Sequence, residues 1–317
     1  MIRVLADPGS PSTHHLLLVI VGPTAVGKTA FAIRAARHFQ TEIISSDSRQ
    51  FYREMRIGTA VPSDAELSLA PHHFIGHLSV HDDYNVYRFE KKVLQLLEKL
   101  FRDHPIVVMT GGSGLYVGAV IRGIDDLPDP DPVVREQLKA KWSGEGIGAL
   151  QKMLQELDPE YYDAVDKNNP KRLLRAIEIC LVTGRSYSSQ RVNQPKERNF
   201  KILQIGLDLP RDQLYQRINE RVDQMMANGL VEEARSLVPC RHLNALNTVG
   251  YKELFEHFDG KVTLEEAVED IKTHSRKYAK RQLTWFKRDH TIHWLHPDRF
   301  SEMIELISRQ LTPGQED

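Results

Sequence analysis

"VIVGPTAVGKTAFAIRAARHF", residues 19–39, decides the fold class. An apolar run leads into a glycine loop that ends in Lys28 and Thr29, and a helical segment follows. Gly22-Pro-Thr-Ala-Val-Gly27-Lys28-Thr29 matches G-x-x-x-x-G-K-[ST] at every fixed position. Glycines let such a loop curl until successive N–H groups face phosphate oxygens. The following helix adds the positive end of its dipole. Gly22, Pro23, Thr24, Ala25, Val26, Gly27, Lys28 and Thr29 are therefore expected to hold a diphosphate group, with Lys28 neutralising charge and the Thr29 hydroxyl facing Mg²⁺ as the metal ligand. The loop alone does not choose between a nucleoside triphosphate such as ATP and any other diphosphate bound with Mg²⁺.

Outward from the loop, strands and helices alternate. Residues 16–21 read as a fully buried strand, because the run is apolar without alternation. "EIISS" (42–46) and "PIVVMT" (105–110) read as further strands, with helices over 30–39 and 84–104 and from about 115. The pattern predicts an α/β fold: a P-loop-type parallel sheet flanked by helices. The texture changes at "GIDDLPDPDPVVREQL" (123–138), where three prolines and four aspartates punctuate the chain. From there to about 198 only helices are expected, over 132–141, 147–157 and 170–183. A strand returns at 200–209, helices follow over 211–228, 230–237 and 263–288, and "TIHWL" closes as a short strand. The expected division is a flexible leader (1–15), a P-loop α/β core (16–124 and 199–317) and an all-helical insertion (125–198).

Composition narrows the function classes. With 317 residues, 41% hydrophobic and 27% charged, the chain is long enough for one large or two modest globular domains. Two cysteines, Cys180 and Cys240, make neither a disulfide framework nor a zinc cluster, which suits a reducing, cytoplasmic compartment. No stretch reaches the ~20 apolar residues of a membrane helix. A net charge of −1 gives no global attraction to nucleic acid, so such binding has to come from local basic patches.

Two loops join the phosphate loop at the same sheet edge. Asp47 follows the second strand, and ligands of doubly wound sheets sit beyond the carboxyl ends of strands. It suits a general base or a Mg²⁺ ligand. Gln50 can pair with an adenine edge, and Phe51 or Tyr52 can stack on a base or form a core pair. "TGGSGLY" (110–116) either brings amides and the Ser113 hydroxyl to the site or makes a tight turn. Basic segments come later. Lys171, Arg172 and Arg175 line the start of one helix, and Arg217 and Arg221 lie one turn apart on another. Glu220 and Asp223 place Arg221 on a solvated face. "KTHSRKYAKRQLTWFKR" (272–288) carries seven cations and no acid, with Tyr278 and Trp285 seven residues apart, as a nucleic-acid phosphate track requires.

Taken together, the motifs resemble the bacterial tRNA dimethylallyltransferase family, also called tRNA isopentenylpyrophosphate transferases. The carrying stretches are "GPTAVGKT" (22–29), "SSDSRQFYREMRIGTA" (45–60), "APHHFIGHLSV" (70–80), "TGGSGLYVGAVIRG" (110–123), "DPDPVVREQL" (129–138), "NNPKRLLRAIEICLVTG" (168–184), "LYQRINERVDQMMANGLVEEA" (214–234), "TVGYKEL" (248–254) and "YAKRQLTWFKRD" (278–289). They stand in family order over nearly the whole chain.

The resemblance implies transfer of a dimethylallyl group from dimethylallyl diphosphate to N6 of adenine 37, beside the anticodon of tRNAs that read codons beginning with U. It implies that the phosphate loop holds a prenyl diphosphate rather than ATP. Asp47 matches the family's catalytic aspartate, and Lys28, Ser113 and Arg217 would act on the leaving diphosphate. Asp47, Ser48, Arg49 and Gln50 would meet the target base and its surroundings. Lys171, Arg172, Leu173, Leu174 and Arg175, with Lys280, Arg281 and Arg288, would grip the anticodon stem and loop. The expected partners are tRNA and dimethylallyl diphosphate, with Mg²⁺, no membrane and a monomeric enzyme. Four departures from the family pattern stand out: Val61 replaces the usual lysine, Ser113 a threonine and Asn169 an aspartate, and a "DP" is missing around residues 79–81. Alternatives are a P-loop small-molecule kinase, a prenyltransferase of free adenosine nucleotides, and a non-catalytic tRNA-binding paralogue.

Overall fold

The apolar run before the phosphate loop is the middle strand of a parallel sheet. The structure is a computed structural model that describes residues 15–192 and 194–311. The chain begins β1 (Leu16–Val21), α1 (Lys28–Phe39), β2 (Ile43–Ser45), α2 (Asp64–Leu67), β3 (His72–His73), α3 (Val86–Leu100), β4 (Ile106–Gly111) and α4 (Gly114–Arg122). Five helices follow: α5 (Pro132–Glu145), α6 (Ile147–Leu157), α7 (Pro159–Ala164), α8 (Pro170–Thr183) and α9 (Tyr187–Gln190). Then come β5 (Lys201–Leu207), α10 (Arg211–Ala227), α11 (Leu230–Ser236), α12 (Tyr251–Phe258), α13 (Leu264–Phe286), β6 (His293–Leu295) and α14 (Phe300–Leu311).

The six strands run parallel in the order β3-β2-β4-β1-β5-β6. Alternate residues of β1 serve two different cores. Leu17, Val19 and Val21 pack with Phe89, Val107 and Met109, while Leu16, Leu18 and Ile20 pack with Ala32, Val108 and Ile205. Both faces are covered, so the strand sequence shows no polar alternation. This is the expected P-loop-type α/β sheet. The carboxyl ends of β1, β2 and β4 carry the phosphate loop, the Asp47 segment and the "GGSG" loop, and together they place the site.

The described residues divide into two compact units, with Arg122–Lys196 as the second. It consists of helices around a core of Leu138, Leu150, Leu154, Val165, Leu173 and Ile177. The insertion expected from sequence was 125–198. The expected leader, 1–15, lies outside the described residues apart from His15. Several elements escaped sequence reading. β3 has two residues, both histidine, and pairs with Ile43 and Ile44 without any apolar run of its own. α7 and α9 are only 6 and 4 residues long. α12 and α14 are amphipathic, with buried Leu254 and Phe255 in one and buried Met303 and Ile307 in the other.

Candidate active site

The phosphate loop is curled as its glycines predict. Gly27 stands at φ 105 just before α1, a conformation that glycine adopts at low cost. The first turn of α1 has no acidic residue and its N-cap no side-chain hydrogen bond, so its positive end is left for an anion. Lys28 folds back, donating through Nζ to the carbonyls of Gly22 at 3.0 Å and Pro23 at 2.7 Å. Burial lowers its pKa to about 8; Asp47 opposes this and Arg221 adds to it.

Arg217 and Arg221 of α10 both reach the phosphate loop, from different surroundings. Arg217 is exposed and reaches only the Val26 carbonyl, at 3.5 Å. Arg221, read from sequence as solvated, lines the central cavity and donates to Thr24 Oγ1 at 3.3 Å. Burial depresses its pKa, with Glu66 and Asp47 opposing. One signal for this was available: Arg221 lies seven residues after buried Leu214 and three after buried Ile218, at the margin of the apolar stripe.

Asp47 lies on the same cavity wall as Thr24, Ser48 and Arg221. Its Oδ1 accepts the Arg49 N–H at 3.1 Å. Ser113 is brought to this segment: its hydroxyl accepts the Ser48 N–H at 3.0 Å and lies 3.1 Å from Ser48 Oγ. Tyr278 closes the wall from α13, and its pKa is raised by burial and then by Asp47. The cavity holds about 570 Å³. Its apolar lining is Ile218, Val222, Met225, Val249 and Ile271, which share the wall with polar Lys252, Glu253, Glu256, His274 and Arg281. This apolar portion could not be located from sequence, because its residues come from three separate segments.

The loop at 56–60 is held in place from a distance. Glu233 accepts the N–H groups of Arg56, Ile57 and Gly58 at 2.9, 2.8 and 2.9 Å, and the Tyr251 hydroxyl at 2.6 Å. Gly58 and Thr59 thereby become cavity wall. Sequence reading passed over Glu233, since an acidic residue on a short helix has many bland explanations.

Other expected contacts are reassigned. Gln50 commits its amide nitrogen to the carbonyls of Thr59 and Ala60, at 3.2 and 3.0 Å. Arg49 aims its guanidinium at the carbonyls of Asn244, Ala245 and Asn247. Phe51 and Tyr52 are core residues, and Phe51 stacks on Phe89. Leu173 and Leu174 are corrected: both side chains are buried in the helical unit's core and present no contact surface. Arg175 is turned to buried Glu178 at 2.9 Å and to the Pro128 carbonyl, while Lys171 and Arg172 are exposed at the start of α8. Lys280 and Arg281 of α13 and Arg288 just beyond it are exposed, and Arg281 also lines the cavity. Lys272, Arg276 and Lys287 instead engage Asp223, Asn219 and Asp208.

Chemically, the walls and the adjoining phosphate loop offer cations and helix amides for an anion, the Asp47 carboxylate on the wall shared with Thr24 and Arg221, two further carboxylates in Glu253 and Glu256, and apolar side chains for a short hydrocarbon. The sequence profile of the IPP transferase family matches residues 50–289. The chain belongs to the IPP transferase family. Among its relatives, a Christiangramia forsetii protein named tRNA dimethylallyltransferase is 54% identical over 290 residues, 92% of this chain and 96% of its own length. A Bacteroides fragilis protein named tRNA dimethylallyltransferase 1 is 50% identical, covering 94% of this chain and 99% of its own. A solved structure of this IPP transferase family, the tRNA isopentenylpyrophosphate transferase of Bacillus halodurans, superimposes with a TM-score of 0.68 at 37% identity, covering 94% of this chain and 97% of its own.

Proposed function

We propose that this IPP transferase family member moves a dimethylallyl group from dimethylallyl diphosphate to N6 of adenine 37 in tRNAs reading codons that begin with U. The observation that carries the reading is one cavity combining Asp47, Thr24 and Arg221 with apolar side chains, beside Lys28 and the α1 N-terminus. A kinase acting on a small polar metabolite has no use for that apolar lining, nor for the exposed cations of α13.

N6 of adenine is a weak nucleophile, because its lone pair is delocalised into the ring. In the proposed step N6 bonds to C1 of the dimethylallyl group while the C1–O bond breaks. Asp47 takes the N6 proton, and diphosphate departs with the electron pair. Lys28, Arg217, Arg221, the loop amides and the Thr24 hydroxyl face the charge that grows on the leaving group. The target base is first turned out of its stack. The apolar lining holds the five-carbon chain away from water.

Mg²⁺ suits the residues present. It binds through hard oxygens and retains several waters, so the Thr29 hydroxyl and the donor's own phosphate oxygens suffice. Among the described residues no cluster of three or more His, Cys, Asp or Glu forms a protein cage for it. When bound there it would neutralise diphosphate charge. Exposed Lys171, Arg172, Lys280, Arg281 and Arg288 are the proposed tRNA contacts. The cytoplasm is the proposed setting, in keeping with free Cys180 and Cys240. Among the described residues no helix is long and apolar enough to cross a membrane.

The test supplies labelled dimethylallyl diphosphate and Mg²⁺ with unmodified tRNA carrying adenine at position 37, and the same tRNA with guanine there. Label is expected in the first alone. Label in neither, with tRNA still bound, would return the non-catalytic paralogue; label on free adenosine nucleotides instead would return the prenyltransferase of free nucleotides.

A further inference from the structure

An uncharged residue sits within the basic C-terminal part of α13. Gln282 is buried in α13 between Arg281 and the exposed residues that follow, on the stripe that also buries Ala279 and Phe286. Its side-chain Oε1 accepts the Thr24 N–H at 2.9 Å, and its Nε2 donates to the Gly112 carbonyl at 2.9 Å. These partners are 258 and 170 residues away in sequence, on loops leaving the adjacent strands β1 and β4. Thr24 in turn accepts a hydrogen bond from Arg221 through its hydroxyl.

We propose that Gln282 is a positioning residue of the diphosphate site, fixing Thr24 and through it Arg221 by tying the phosphate loop to the loop after β4. The inference rests on the reading of the cavity as a prenyl-diphosphate site. Three facts support it. First, the join needs an acceptor and a donor on one planar group: a carboxylate offers acceptors alone and an ammonium donors alone. Second, Gly112 makes room for that group, since a Cβ there would overlap the Gln282 amide nitrogen. Gly114 does the same for Trp285, one turn further along the helix. The "GGSG" loop is therefore shaped to receive α13. Third, the Thr24 N–H is taken up by Gln282, so Thr24 meets the cavity through its hydroxyl, which Arg221 holds. Removing the amide strands a part-buried N–H and a buried carbonyl, and the loop relaxes to satisfy them.

The experiment compares Gln282→Leu and Gln282→Glu with the wild type. Binding of inorganic diphosphate with Mg²⁺, and of an unreactive dimethylallyl thiodiphosphate, is measured by calorimetry. KM for donor and for tRNA is measured separately. Gln282→Leu is expected to weaken both anionic probes by roughly tenfold to a hundredfold, with the donor KM rising alike and the tRNA KM within about threefold on the same basis. Gln282→Glu is expected to bind poorly at pH 8 and to recover toward wild type near pH 5.5, where a protonated carboxyl again donates to Gly112. Diphosphate binding by Gln282→Leu within twofold of wild type, or donor and tRNA KM rising together, would overturn the assignment. So would a Gln282→Glu deficit indifferent to pH, and that arm decides the matter if Gln282→Leu does not fold. A wild type that binds diphosphate yet prenylates no tRNA would sink the proposed function instead, while the Gln282 binding ratios would still settle the positioning role.

Discussion

Lys28 and Arg221 are half-buried beside the central cavity, whereas Lys280 on α13 and Arg288 just after that helix stand exposed away from it. Both groups are cationic and both suit phosphates, yet they work under different physics. The first acts in a medium where water is scarce, so each charge is strong, costly to keep and sensitive to pH. The second acts through solvent, so each charge is weak, screened by salt and useful mainly in number. One side chain at the enclosed site can therefore decide the chemistry, while the open face can only tune affinity.

The largest expected effect belongs to the enclosed site. Asp47→Ala should lower kcat by about a hundredfold to ten-thousandfold, the range for a general base, with tRNA affinity nearly unchanged. Single-turnover rates beside a tRNA binding curve check this, and a kcat within fivefold of wild type would remove the base assignment.

Next in size is a pH effect on donor binding. The Lys28 pKa is lowered to about 8, so its charge is present below that pH and lost above it. Donor affinity should fall about tenfold for each pH unit beyond 8, one proton being required. Binding should also take up a proton, because the incoming anion favours charged Lys28. A donor Kd that is flat from pH 7 to 9.5 would contradict the enclosed picture.

Smaller changes are expected from the open face. Replacing Lys280 and Arg288 together by alanine should weaken tRNA binding and reduce the slope of log K against log salt by about 1.4, at ~0.7 per phosphate contact on a single strand. Donor KM should stay put. An unchanged salt slope would mean that the RNA runs elsewhere.

The smallest effect concerns a buried group kept uncharged. His77 packs between Phe51, Phe74 and Tyr84, and burial, then Lys92 and Arg53, lower its pKa to about 4. The unfolded chain binds that proton near 6.5, so stability should decline as pH falls from about 6.5 to 4. His77→Phe should flatten the Tm profile across that window. An unaltered profile would place the acid sensitivity at other residues.

Much of this was readable in the chain because it depends on local pattern. The apolar run of β1, the glycine loop and the placement of Asp47 after a strand follow from neighbours in sequence. Motif resemblance added the reaction. Charge counting did less well: seven cations in 272–288 looked like one continuous track, but Lys272, Arg276 and Lys287 are engaged by acids and amides from other elements. Nor did local pattern separate Arg217 from Arg221. They differ by one helical turn, and which of them meets the cavity depends on how α10 is rotated against the sheet.

By itself the sequence determined a parallel α/β sheet with a phosphate loop, a carboxylate after the second strand and a helical insertion, since each rests on the periodicity or spacing of adjacent residues. Only the tertiary structure decided that Arg221 and Tyr278 line the cavity, that Glu233 holds the loop at 56–60, and that Gln282 joins two loops. Those roles arise where residues far apart in the chain meet in a buried space that must satisfy every polar group it encloses, and no local stretch encodes that demand.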